Sequence, residues 1–239
     1  MSGHSKWSTI KRQKGVADAK RGQVFTKLAN VITLAARSGG VDPNANFKLR
    51  LAIDKARAAN MPKDNIERAL ARAAGIQEGG LEEAVYEAFI PGGASVIIET
   101  VTDKKQRTVA EIKNLVEKNG GTLGVPGSVS YLYSRVSEIV VPKNGRETEE
   151  TLNESLDAGV EDFEEEEDSV ILYTTVEQLQ TVKKTLEEKG IEVMDASIIY
   201  KPLSTIAVAD ENQKLRAVEL LERIEDHDDV SKIHTNIEY

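Results

Sequence analysis

Gly79-Gly80-Leu81-Glu82-Glu83-Ala84-Val85-Tyr86-Glu87-Ala88-Phe89-Ile90-Pro91-Gly92-Gly93 is the stretch on which the fold turns, because the hydrophobic period changes there from 3.6 to 2. Ala84 to Ile90 and Ser95 to Thr102 read as strands flanking the turn Pro91-Gly92-Gly93.

Upstream of that change the pattern is helical. Val24, Leu28, Val31, Ile32 and Ala35 share one face of a helix running from Val24 to Arg37, which Ser38-Gly39-Gly40 ends. Asp42 before Pro43 reads as an N-cap with proline at the first helical position, opening a second helix that runs to about Asn60. Ala45, Leu49, Ala52, Ile53 and Ala56 form its apolar stripe, with Lys48 and Lys55 on one flank and Arg50 and Arg57 on the other. A third helix starts near Pro62, is anchored by Ile66, Leu70 and Ala73, and ends at Gly75, read as a left-handed residue just past the helix. Before the bundle, Gly3, Gly15 and Gly22 interrupt a run crowded with Lys6, Lys11, Arg12, Lys14, Lys20 and Arg21. A glycine inside a helix costs about 1 kcal/mol relative to alanine, so residues 1–22 read as a mobile basic arm.

Downstream, Lys104 to Asn119 reads as a helix with Val109, Ile112, Leu115 and Val116 inward, followed by a glycine-rich turn and a strand from Ser128 to Tyr133. Val136–Val141, Glu147–Ala158, Val160–Phe163, Val170–Thr174, Val176–Lys189 and Glu192–Tyr200 then read as strand, helix, strand, strand, helix, strand, the order of a ferredoxin-like sandwich. The remainder is a strand from Leu203 to Ala209, a helix from Glu211 to Asp226 and a strand from Val230 to Ile237. This piece cannot bury a sheet alone, so it joins the strands after Gly80. The expected fold is α+β: a helical N-terminal module over 1–79, an α/β sandwich split between 80–133 and 202–239, and a ferredoxin-like βαββαβ domain with an acidic tip inserted at 134–201.

The charge follows the same division. Residues 1–75 carry 15 Lys/Arg against 5 Asp/Glu, while the other 164 carry 16 against 35. The overall −9 therefore conceals a cationic module, and clustered cations point to a polyanion partner. Lys6, Lys11, Arg12, Lys14, Lys20, Arg21, Lys48, Arg50, Lys55 and Arg57 are the candidate phosphate contacts, and Trp7 could stack on a base. The alternatives are a solvated charged surface for the cations and a packing staple for Trp7.

Other chemistries find little support. With no cysteine, disulfides, thiolate metal sites and thiol catalysis are excluded. No nucleophile–base motif stands out, so neither catalysis nor a cofactor is expected. His4, His227 and His234 are too scattered to suggest a metal site, and each reads as a surface residue. The segment from Asn119 to Ser128 lacks the Lys-Ser/Thr of a phosphate loop and follows a helix instead of a strand, so it reads as a structural turn. Glu161 to Asp168 holds seven acids in eight residues, read as a mobile, solvated hairpin tip because a repelling row does not converge on a metal. Tyr131 and Tyr133 read as an ordinary strand pair without an RNA-recognition motif around them. Nothing resembles a membrane span or a leader, and no zipper signals a dimer, so a soluble, unsecreted monomer is expected.

Three segments together resemble the YebC family, which includes a mitochondrial translational activator of cytochrome oxidase subunit I. They are Gly3-His4-Ser5-Lys6-Trp7, then Asn60-Met61-Pro62-Lys63-Asp64-Asn65-Ile66-Glu67-Arg68-Ala69, then Gly120-Gly121-Thr122-Leu123-Gly124 with Gly127-Ser128-Val129. The likeness spans the chain and implies a three-domain α+β protein with a helical N-terminal module, in a bacterial, cytoplasmic form that lacks a transit peptide. It also implies a DNA-binding transcriptional regulator, or, through the mitochondrial branch, a translation factor that contacts rRNA or tRNA on the ribosome and helps it through proline-rich stretches. The cationic module serves either reading. A ligand-sensing or enzymatic role for the sandwiches is a third class, because such folds host many functions.

Overall fold

The computed structural model describes residues 18–75, 80–144 and 148–238, with side chains from residue 21 onward. Its helical module holds α1 (Asp18–Gly39), α2 (Phe47–Ala58) and α3 (Lys63–Ala74). Leu28 and Ile32 of α1, Leu49 and Ile53 of α2, Met61 and Ile66 close a common core. Helix α1 begins earlier than the apolar pattern suggests, so Arg21 and Gly22 belong to it and not to an arm. Residues 1–17 lie outside the described residues.

Asn46, and not Asp42, caps α2. The Asn46 amide donates to the carbonyls of Ala35 and Gly40, each at 2.8 Å, while its oxygen accepts the Leu49 N–H at 3.1 Å. One buried side chain thereby satisfies both ends of the α1–α2 turn, which an acceptor-only aspartate cannot do. Asp42 instead accepts the Asn44 N–H at 2.9 Å in the preceding turn, and Ala45 is left exposed. Gly39 is needed for this close approach, since a Cβ there would stand 2.7 Å from the Asn46 amide nitrogen. Gly75 leaves α3 in extended conformation, with φ −78° and ψ 137°, and not as the left-handed residue expected. The left-handed residue lies at the other turn, where Asn60 has φ 58° and lets the Met61 N–H reach the Ala56 carbonyl at 2.9 Å.

After the module come β1 (Glu82–Phe89), β2 (Ser95–Thr102), α4 (Lys105–Lys118), β3 (Thr122–Leu123) and β4 (Tyr133–Pro142). The inserted region adds α5 (Thr148–Leu156), β5 (Asp162–Glu165), β6 (Ser169–Thr174), α6 (Leu179–Glu188) and β7 (Asp195–Pro202), and the chain closes with α7 (Glu211–Glu225) and β8 (Val230–Thr235). The fold is α+β with two four-stranded sheets, ordered β3-β1-β2-β8 and β5-β6-β4-β7. By compactness the chain divides into Ser134–Lys201 and a unit formed by the chain on either side of it.

In the larger unit, β1 pairs antiparallel with β2 from Glu82↔Thr102 to Phe89↔Ser95, and β2 with β8 from Val96↔Thr235. Val96, Ile98 and Ile233 join Ile112 and Val116 of α4 and Leu220 and Ile224 of α7 in one core. The other face of the sheet is covered as well: α1 lies against β2 and β8, and Ile97 is fully buried. Lys27 donates to the Glu225 carbonyl at the C-terminal end of α7, and Gln23 donates to the Asp228 carboxylate at 2.8 Å.

Two expected strands of this unit are absent. Residues 128–132 curl into a short 3-10 turn because the buried Glu87 carboxylate gathers the N–H groups of Gly127 (2.8 Å), Val129 (2.6 Å) and Ser130 (3.0 Å). A strand turns successive N–H groups to opposite sides and could not present all three. Residues 203–209 make only an isolated bridge, Ile206 to Ile237, because Val208 packs instead over Gly92.

In the smaller unit the sheet order is that of a ferredoxin-like sandwich, with β6 antiparallel to both β4 and β5. Leu172, Leu179, Val182 and Leu186 are buried within it. The acidic hairpin is tied down by cations. Lys201 sits 3.5 Å over the Tyr173 ring, 2.8 Å from Asp162 and 3.3 Å from Glu164, and Lys143 meets Glu165 at 2.7 Å.

Candidate nucleic-acid interface

On α2, Leu49, Ala52, Ile53 and Ala56 face the core, which leaves Lys48 and Lys55 on one flank and Arg50 and Arg57 on the other. Each pair is seven residues apart, about 10 Å along the axis. Their surroundings differ. Arg50 is half-buried, with its guanidinium 5.4 Å from the centre of the Phe47 ring, and Arg57 is 3.8 Å from Asp54. Lys48 and Lys55 are exposed, and Lys55 is close enough to the sheet to act on His234. Arg21 is exposed on the first turns of α1. Lys6, Trp7, Lys11, Arg12 and Lys14 lie outside the described residues, as does the Lys20 side chain.

A second basic surface was missed by the sequence reading. Between α1 and α3 lies an open cleft of about 400 Å³ whose lining includes Phe25, Asn30, Met61, Asn65, Arg68 and Arg72. Arg68 and Arg72 are four residues apart and so project from one face of α3. Arg72 donates to the Asn30 side-chain oxygen at 3.0 Å and to the Thr33 hydroxyl at 3.2 Å. Arg68 donates to the Asn65 side-chain oxygen and, at 3.3 Å, to the Asp64 carbonyl. Among the described residues neither guanidinium meets a carboxylate, and neutral partners fix the direction of both. The sequence offered one clue, the arginines' four-residue spacing with Asn65 three positions before the first.

His234 corrects the expectation of a surface histidine. It is fully buried on β8, and its Nε2 lies 2.5 Å from Glu99 Oε1. Burial, and after it the cations Lys232 and Lys55, hold its imidazole well below the ordinary range despite that carboxylate. His227 is half-buried and belongs to the one group among the described residues with metal-like spacing, Glu111, His227 and Asp229. That group satisfies itself. His227 Nε2 is 3.1 Å from Glu111, its Nδ1 accepts the Asp229 N–H at 3.2 Å, and Arg107 donates to Asp229 at 3.0 Å. Burial would raise the Asp229 pKa, but bonds from Thr108, Arg107 and Thr102 outweigh it and hold the carboxylate below its usual range. With both imidazole nitrogens engaged and an arginine among the acids, the cluster is an ion-pair network and not a metal cage.

At the end of the glycine-rich segment the N–H groups of Gly127, Val129 and Ser130 are already taken by the Glu87 carboxylate, so they do not cradle a phosphate. No described helix is long and apolar enough to cross a membrane.

Comparison with known proteins places this architecture. The family described as the TACO1/YebC second and third domain matches residues 81–237, and the TACO1/YebC protein N-terminal domain matches residues 5–76. A "Probable transcriptional regulatory protein" of Persephonella marina is 43% identical over all of this chain and 96% of its own length. One from Desulfotalea psychrophila is 45% identical with the same coverage. The crystal structure of a conserved hypothetical protein from Aquifex aeolicus superposes with a TM-score of 0.85 at 40% identity, over 92% of this chain and 91% of that one. With both domain profiles matched in order and relatives alike from end to end, this chain belongs to the TACO1/YebC family.

Proposed function

We propose that the helical module binds nucleic acid through phosphate contacts, and that the chain regulates gene expression without catalysis, with DNA as the target in keeping with the name its relatives carry. The observation that carries this reading is the concentration of cations: 15 Lys/Arg against 5 Asp/Glu in the first 75 residues of a chain whose net charge is −9. Lys6, Lys11, Arg12, Lys14, Lys20, Arg21, Lys48, Arg50, Lys55 and Arg57 hold phosphates, and Trp7 stacks on a base.

A second reading, a translation factor on ribosomal or transfer RNA, is favoured by the way the α2 cations straddle a buried stripe. That arrangement suits phosphate and shape contact more than a recognition helix reading base edges. Crosslinking in cells, counting RNA against DNA fragments, decides between the two: promoter DNA supports regulation of transcription, and a few rRNA or tRNA positions support translation.

Truncation should stop at residue 17, because α1 begins at Asp18. Removing residues 1–17 deletes Lys6, Lys11, Arg12 and Lys14, and should lower the slope of log affinity against log salt by about three. An unchanged slope would reject the role of those residues.

A further inference from the structure

The α1–α3 cleft differs from the rest of the basic surface in what its cations touch. Arg57 is near Asp54 and Lys63 is 3.4 Å from Glu67, pairs that lower the charge on offer. Arg68 and Arg72 are held instead by the oxygens of Asn65 and Asn30, and by Thr33. An ordinary solvated arginine is mobile, and one paired with an acid is neutralised. These two are oriented without being neutralised, so an incoming phosphate meets a fixed fork with little ordering left to do. Both asparagines spend their oxygens on the arginines, and among the described residues their NH2 groups have no other partner, which leaves donors at the rim. Below them, half-buried Phe25 and buried Met61 supply an apolar surface. The volume, about 400 Å³, falls in the range of small-ligand clefts and excludes a duplex.

We infer that this cleft takes a single unstacked nucleotide from a single-stranded segment of nucleic acid. Its phosphate lies on Arg68 and Arg72, its base lies against Phe25 and Met61, and acceptors on the base edge meet the amides of Asn30 and Asn65. The inference deepens the nucleic-acid reading and rests on it.

The test uses the full chain with three fluorescent probes: a 12-nucleotide uridine RNA, its thymidine DNA counterpart and a 20-base-pair DNA duplex. The exposed Arg68→Gln, the double variant Arg68→Gln/Arg72→Gln and Phe25→Ala are each checked for an unchanged circular dichroism spectrum. The double variant should lose at least about tenfold in affinity for the single strands and Phe25→Ala about five- to tenfold, with duplex affinity nearly constant. Arg68→Gln, whose side chain bonds among the described residues only to Asn65 and the Asp64 carbonyl, carries the test alone if the double variant fails to fold. A 4-thiouridine RNA should also crosslink to the peptide holding Phe25 or Met61. RNA favoured over DNA would assign the site to RNA, and equal binding would assign it to single strands of either kind. Equal losses on duplex and single strands, or single-strand binding that ignores Arg68 and Phe25, overturns the cleft and leaves the nucleic-acid reading standing. Failure of the unaltered protein to bind any probe removes both.

Discussion

Asn46 joins two helix ends through one amide, and its replacements separate the two contributions. Asn46→Asp keeps the acceptor for the Leu49 N–H but loses both donors, whereas Asn46→Ala loses everything, leaving the buried Ala35 carbonyl to Ser38 and the exposed Gly40 carbonyl to water. Asn46→Ala should cost about 1–2 kcal/mol and Asn46→Asp at least as much, since a carboxylate oxygen would face both carbonyls, read by urea unfolding. Glu87 is the counterpart in the sheet. Burial raises its pKa, yet the N–H groups of Val129, Gly127 and Ser130 outweigh that and hold it below the usual carboxylate range. Stability from this carboxylate is therefore present above pH 4.5 and lost as pH falls through the depressed value. Glu87→Gln should flatten that acid limb and speed amide exchange at Gly127 and Val129. His234 acts at milder pH. Its folded pKa lies well below 6.5, so the unfolded chain binds the extra proton and stability declines as pH falls below 6.5. Its imidazole signals should still be those of the neutral ring at pH 6; a titration midpoint near 6.5 would sink this account.

At the scale of elements, α1 is the helix that faces two ways. It contributes to the core of its own module and covers β2 and β8, and Lys27 brings a cation to the carbonyl-rich end of α7. Lys27→Ala should loosen that junction by about 0.5–1 kcal/mol, visible as faster amide exchange over residues 226–229. Elements whose hydrophobic pattern is explained locally were legible in the sequence: β2 matched its expected limits at Ser95 and Thr102, and α4 and α7 lie within a residue of theirs. What failed depends on partners distant along the chain. Residues 128–132 have a strand-like composition but answer to Glu87, some forty positions away, and residues 203–209 lose their ladder to the packing of Val208 on Gly92. His234 was misjudged for the same reason, since its burial comes from α1 lying over the sheet, which no local pattern announces.

For the whole molecule, the split of charge was plain in the sequence, and so was the class of partner it suggests. The cleft was not, because Arg68 and Arg72 look like any solvated helix face until their neutral partners are seen. The smaller unit departs and returns at neighbouring points: the Leu203 N–H donates to the Leu132 carbonyl at 2.9 Å. Replacing residues 134–201 by two glycines should therefore leave the remaining unit folded, with the circular dichroism of its helices intact and the nucleic-acid binding proposed for its helical module undiminished. Collapse of the shortened chain would show that the acidic unit is required for the rest to stand.

That hydrogen bond makes the junction a socket. Any domain whose termini lie as close together could be spliced there, so a fluorescent or ligand-binding guest could report on this protein in cells without a tag at either end of the chain.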